Sequence, residues 1–106
     1  MDISLLQEKS LEASRFLKAM SNKHRMLILC NLVDKERSVG ELEKIVGLSQ
    51  SALSQHLARL RKEDVVKTRR DAQTIYYSLQ DENVVDVLEL LFSIFVADDT
   101  KLAEVA

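Results

Sequence analysis

Up to residue 62 the apolar residues of this chain recur at helical spacing, and just beyond they alternate. That change of period, together with the break at Gly47-Leu48-Ser49, constrains the fold more than any other feature. Val39, Leu42, Ile45 and Val46 form one apolar face before the break, and Leu53, Leu57 and Leu60 form one stripe after it. Ser38 is placed to cap the first segment, with Glu41 to complete a capping box. Gly47 suits the left-handed position that follows a helix end. Ser49 can cap a helix over residues 50–62. Two short amphipathic helices around so tight a break read as a helix-turn-helix. Residues 65–70 and 73–79 are β-branched and aromatic, with Asp71-Ala72 as the tight connection, and predict a hairpin. Asp64, between helix and strand, is expected in the left-handed region.

The flanks are helical as well. Leu6, Ala13, Leu17 and Met20, with Phe16 beside them, predict a helix over residues 4–20. Ser21-Asn22 breaks it and can cap a second helix over 23–34, whose broad apolar face is Met26, Leu27, Leu29, Cys30 and Val33. Residues 34–37 read as a polar turn. The last helix, 83–96, holds Val84, Val85, Val87, Leu88, Leu90, Leu91, Ile94, Phe95 and Val96. These are too many for one face of a small domain, so a second buried face and a partner are implied. The expected order is α-α-α-α-β-β-α: a mainly α winged helix-turn-helix, one DNA-binding and dimerisation domain over residues 1–97, then a short acidic C-terminal tail, 98–106. The chain has no Pro, so nothing breaks the helices from inside.

A chain of 106 residues is one domain's worth and gains from burying more surface in an oligomer. Asp2, Glu8 and Glu12 argue against a signal peptide, and no apolar run approaches the ~18 residues of a membrane span. A cytoplasmic protein is therefore expected, with no membrane partner. The single cysteine excludes an intrachain disulfide framework and a multi-cysteine zinc site. A net charge of −2 at first argues against nucleic acid, but the charge is unevenly spread. Within 49–79, Arg59, Arg61, Lys62, Lys67, Arg69 and Arg70 outnumber Glu63, Asp64 and Asp71, whereas 80–106 sets seven carboxylates against Lys101. One region can face phosphate while the acidic end faces away.

With Leu53 and Leu57 inward, Gln50, Ser51, Ser54 and Gln55 point outward near a helix N-terminus, the half that enters a major groove. Gln can pair with adenine N6 and N7, and Ser can meet a base or a phosphate. Ser49, Arg69, Arg70, Gln73 and Thr74 are expected at the DNA backbone or minor groove, the last four on the hairpin. Arg59 and His56 join this set. His56 either flanks the core or touches phosphate, and Arg59 fits the helix dipole equally well. His24, at a helix start, reads as structural. Cys30 is either a small buried hydrophobe or, given exposure, a sensing thiol. No Ser-His-Asp or His-carboxylate spacing converges, so no enzyme and no cofactor is expected. A protein-interaction module is the rival reading.

Residues 18–25, 38–42, 48–57 and 68–79 together resemble the ArsR/SmtB family of dimeric winged-helix transcriptional regulators, over about residues 11–97. The last two stretches resemble its non-metal branch, which holds HlyU-like, persulfide-sensing and NolR-like regulators. The resemblance implies sequence-specific binding of double-stranded DNA at an imperfect inverted repeat, as repressor or anti-silencer. It also implies a homodimer through the first and last helices, here Leu6, Ala13, Leu17, Val87, Leu88, Leu91, Ile94 and Phe95. The family's metal motifs are missing: Glu43 and Ile45 stand where a cysteine pair would, and the last helix has no His, so no metal is expected. Asp86 and Glu89 alone are weak ligands for zinc. Redox-sensing members pair two cysteines; Cys30 matches the first, and Val96 stands at the second. A constitutive regulator, a single-thiol sensor and a vestigial cysteine all remain open.

Overall fold

The computed structural model describes residues 1–97. Two helices, α1 (Ile3–Glu8) and α2 (Ser10–Met20), stand where the sequence predicted one over 4–20. The break is Lys9, at φ −100° and ψ 11°, whose N–H closes back onto Leu6 and Gln7. α1 buries no residue, so no packing holds its axis in line with α2. Asn22 then accepts from the N–H groups of His24 and Arg25 (2.9 and 3.1 Å) and starts α3 (Lys23–Cys30). α3 stops earlier than the expected residue 34. The Asn31 side chain donates to the Leu27 carbonyl (2.8 Å), in competition with a further turn.

Residues 34–37 do not end as a turn. Arg37–Ser38 is a short strand, β1, and two residues are too few to leave a periodic signal. Ser38 also caps α4 (Val39–Val46), with Glu41 returning the bond in the expected capping box. Gly47 follows at φ 70°. The Ser49 hydroxyl accepts from the Ala52 N–H (3.2 Å) and opens α5 (Gln50–Lys62). Asp64 takes the left-handed conformation at φ 56°, and the chain enters the hairpin β2 (Val66–Asp71) and β3 (Thr74–Leu79). The hairpin loop is Ala72-Gln73, not Asp71-Ala72, because pairing runs on to Asp71↔Thr74. The register is fixed at the other end, where Val66 faces Leu79 and the Gln80 N–H donates to the Val65 carbonyl (3.0 Å). β1 pairs antiparallel to β3, Arg37 with Tyr77 and Ser38 with Tyr76, giving the order β1-β3-β2.

The core gathers Ala19 and Met20 of α2, Ile28 and Leu29 of α3, Leu42 and Val46 of α4, and Leu53, Leu57 and Leu60 of α5. Leu32, Val65, Val66, Tyr77 and Val84 complete it. The inward face of α3 differs from expectation. Ile28 and Leu29 point in, while Leu27, Cys30 and Val33, three residues apart, form an exposed stripe. α6 (Asn83–Phe92) passes into a π-helical turn at Ser93–Ala97 instead of continuing as one helix. There the Ser93 hydroxyl donates to the Leu90 carbonyl (2.8 Å), a bond that distorts helical ladders. No helix among the described residues is long and apolar enough to cross a membrane. The acidic segment 98–106 lies outside the described residues.

Candidate nucleic-acid interface

α5 is anchored by Leu53, Leu57 and Leu60, which turns Gln50, Ser51, Ser54 and Gln55 to solvent. Ser49 is occupied as the cap. Gln50, Ser54, Ala58 and Arg61 run along one side of the helix and share a groove with Val39, Ile75 and Tyr77. An adjoining groove sets Gln50 beside Ser38, Gly40 and the hairpin residues Gln73, Thr74 and Ile75. Gln50 thus stands where the expected reading helix meets the tip of the wing. From sequence Arg61 counted only within the basic cluster and not among the contact residues, although its spacing from Gln50 and Ser54 places it on their side.

Strand alternation separates the two wing arginines. Val66, Thr68 and Arg70 share a face with Ile75, Tyr77 and Leu79, the face that packs on the helices. Arg70 is exposed, is paired across the ladder with Ile75, and donates through Nε to the Ala72 carbonyl (3.1 Å). Lys67, Arg69 and Asp71 share the other face with Ser78, Tyr76 and Thr74. There Arg69 donates from Nη2 and Nε to the Glu36 carboxylate (2.6 and 3.2 Å), and its guanidinium lies 4.5 Å from the centre of the Tyr76 ring. The bond to Arg69 holds the Glu36 carboxyl below its ordinary range, and Glu36 pushes Arg69 up. Glu36 carried no signal in the sequence, since 33 residues separate it from Arg69.

On the other flank of α5, His56 is half-buried, with Nδ1 3.3 Å from Arg25 Nη1 and its ring 5.7 Å from that of His24. Burial, then the charge of Arg25, then His24 push the His56 pKa below its ordinary value. Its neutral ring therefore accepts from Arg25. Arg25 also donates to the carbonyls of Ala19 (2.7 Å) and Lys18 (3.1 Å), tying the end of α2 to α5. Burial and the nearby Arg59, itself exposed, lower the pKa of Arg25. Sequence reading missed Arg25. Among the described residues, no three His, Cys, Asp or Glu side chains converge to hold a metal.

The residues expected at a dimer contact leave much apolar surface open. Leu17 is 55% exposed and Phe95 66%, with Leu6 and Ile94 also exposed, while Ala13, Val87, Leu88 and Leu91 are half-buried. Cys30 is exposed, not a buried hydrophobe, and shares an apolar hollow with Val33, Val85, Leu88 and Phe92.

A profile of the family described as "Bacterial regulatory protein, arsR family" matches residues 22–68. The chain is 54% identical over 92 residues to the nodulation protein NolR of Rhizobium meliloti, covering 87% of this chain and 75% of that one. It is 47% identical over 95 residues to the transcriptional activator HlyU of Vibrio cholerae, covering 90% and 88%. The crystal structure of the transcriptional repressor BigR from Xylella fastidiosa superposes with a TM-score of 0.85 at 36% identity, covering 90% of this chain and 97% of that one. A helix-turn-helix and wing on this scaffold, together with these relatives, place the chain in the ArsR family of bacterial regulatory proteins, as a winged-helix transcriptional regulator and not an enzyme.

Proposed function

We propose that the protein acts in the cytoplasm as a homodimer that binds an imperfect inverted repeat in duplex DNA. Bound there, it represses by occlusion, or relieves repression by displacing another bound protein. The observation that carries this reading is the pair of adjoining grooves that share Gln50, one running along α5 past Ser54 and the other reaching Gln73 and Thr74 of the wing. Polar, short side chains at the front of a helix can approach base edges, with cations set on either flank for the backbone. Gln50, Ser51, Ser54 and Gln55 read bases; Ser49, Arg70, Gln73 and Thr74 meet backbone or minor groove, and His56 and Arg59 meet phosphate on the far flank. The exposed apolar residues Leu6, Leu17, Ile94 and Phe95 support a second copy as the partner.

Selection of bound duplexes from a random pool tests this directly. The expected product is a palindrome whose half-site centres lie about one helical turn apart, ~34–36 Å. Recovery of no enriched sequence, or of a single unrepeated half-site, sinks the proposal.

The exposed thiol of Cys30 supports a second reading, a single-thiol sensor superimposed on the first. Its test compares the DNA affinity of wild type and Cys30→Ser before and after peroxide or polysulfide treatment. Equal responses end it.

A further inference from the structure

We propose that Glu36 is a wing-positioning residue: its carboxylate takes the place of a phosphate on Arg69, so that Arg69 braces the hairpin while Arg70 makes the wing's salt-dependent contact with DNA. The brace stands on the fold alone; the role of Arg70 rests on the DNA-binding reading above.

Three contacts define the brace. Arg69 gives two donors to Glu36, at 2.6 and 3.2 Å, and lays its plane 4.5 Å from the Tyr76 ring centre. A two-point fork of this kind has fixed geometry and is the stronger class of charge-assisted bond. Its acidic end is itself held in place. Residue 37 follows directly into β1, and Arg37 donates to the Asn31 carbonyl (2.7 Å) while facing Asp34 and Glu41 at 3.8 and 3.6 Å. Tyr76 is paired with Ser38 on one side and Arg69 on the other. The brace therefore crosses all three strands on one face, from the approach to β1, over β3, to β2.

An arginine held in this way has one of its two donor forks, Nε with Nη2, taken by a carboxylate that also offsets its charge. A phosphate approaching the remaining edge meets the Glu36 carboxylate beside it, whose repulsion cancels much of the arginine's attraction. Arg70 has no such tie. It projects on the face of Ile75, beside the groove that contains Gln50, and among the described residues its guanidinium is bonded only to the Ala72 carbonyl.

The test measures binding against salt for wild type, Glu36→Ala, Arg69→Ala and Arg70→Ala, on a duplex recovered by selection and on a mixed-sequence duplex. It also measures amide hydrogen exchange across residues 66–79 in the free proteins. Arg70→Ala should make the log–log salt slope shallower by about 0.9, one phosphate's worth, whereas Arg69→Ala should leave it unchanged. Glu36→Ala should steepen it by about 0.9 as the freed arginine finds phosphate, and raise mixed-sequence affinity several-fold. Glu36→Ala and Arg69→Ala should each speed hairpin exchange, and the double variant should be no faster than either. The proposal is overturned if Arg69→Ala flattens the slope as much as Arg70→Ala does, or if Glu36→Ala leaves hairpin exchange unchanged. If even the wild type retains no duplex, the DNA-binding reading falls, and the exchange measurement alone decides the brace.

Discussion

His56 joins the flank of α5 to the body of the fold through Arg25. Burial and the neighbouring Arg25 favour its neutral form in the folded protein. A group whose pKa is depressed on folding gives stability that is present above the unfolded value, near 6.5, and is lost as pH falls through the folded value. The urea midpoint of wild type should therefore drop between pH 7 and pH 5 by more than that of His56→Gln. Equal drops would show that folding does not favour the neutral ring of His56. The Glu36–Arg69 pair behaves differently: its carboxyl is held below the usual range, so the wing should keep its brace throughout that interval. His56 was visible in the sequence as a candidate, but its partner was not. Arg25 lies 31 residues away and meets it only because α2, α3 and α5 pack together.

Elements with local causes were the legible part. Each start and stop around the helix-turn-helix rests on a bond between near neighbours, such as Asn22 to His24, Ser38 to Glu41 and Ser49 to Ala52. Residue chemistry at fixed offsets reports such bonds directly. Gly47 gives a clean test of that logic, because a Cβ built there meets nothing within 4 Å and only the backbone, at φ 70°, resists it. Gly47→Ala should lower stability by about 1–2 kcal/mol, the left-handed penalty, read by denaturant titration. No loss would mean that α4 ends in some other way in solution. Elements with distant causes were not legible. β1 exists because β3 offers it an edge, and the hairpin loop sits one residue later than expected because the base of the ladder sets the register. Two local breaks were missed as well: Lys9 divides α1 from α2, and Asn31 ends α3 by bonding the Leu27 carbonyl, and neither residue type breaks helices often enough to be read from sequence.

For the whole molecule, the sequence announced too much apolar surface, and the fold leaves that surface open. Leu5, Leu6, Leu11, Leu17, Leu90, Phe92, Ile94 and Phe95 are all exposed in one copy. Covering such a side chain contributes roughly 1.5–3 kcal/mol, so a small domain has much to gain from a partner. Leu17→Glu or Phe95→Glu should move the protein to monomer in analytical ultracentrifugation. DNA affinity should fall with it, although neither residue is near Gln50 or the wing tip. Wild-type Tm should also rise with protein concentration, as expected when folding and association are linked. Variants that remain dimeric with unaltered Tm would place the partner surface elsewhere.

Ser38 is at once the end of β1 and the N-cap of α4. The strand that holds the wing and the helix that leads into α5, the proposed reading element, thus share a single hinge pin. Tilting one drags the other, with no slack segment between them to absorb the motion. Groove and backbone grip would then be released in one concerted step, and dissociation should follow a single exponential instead of passing through a half-detached state.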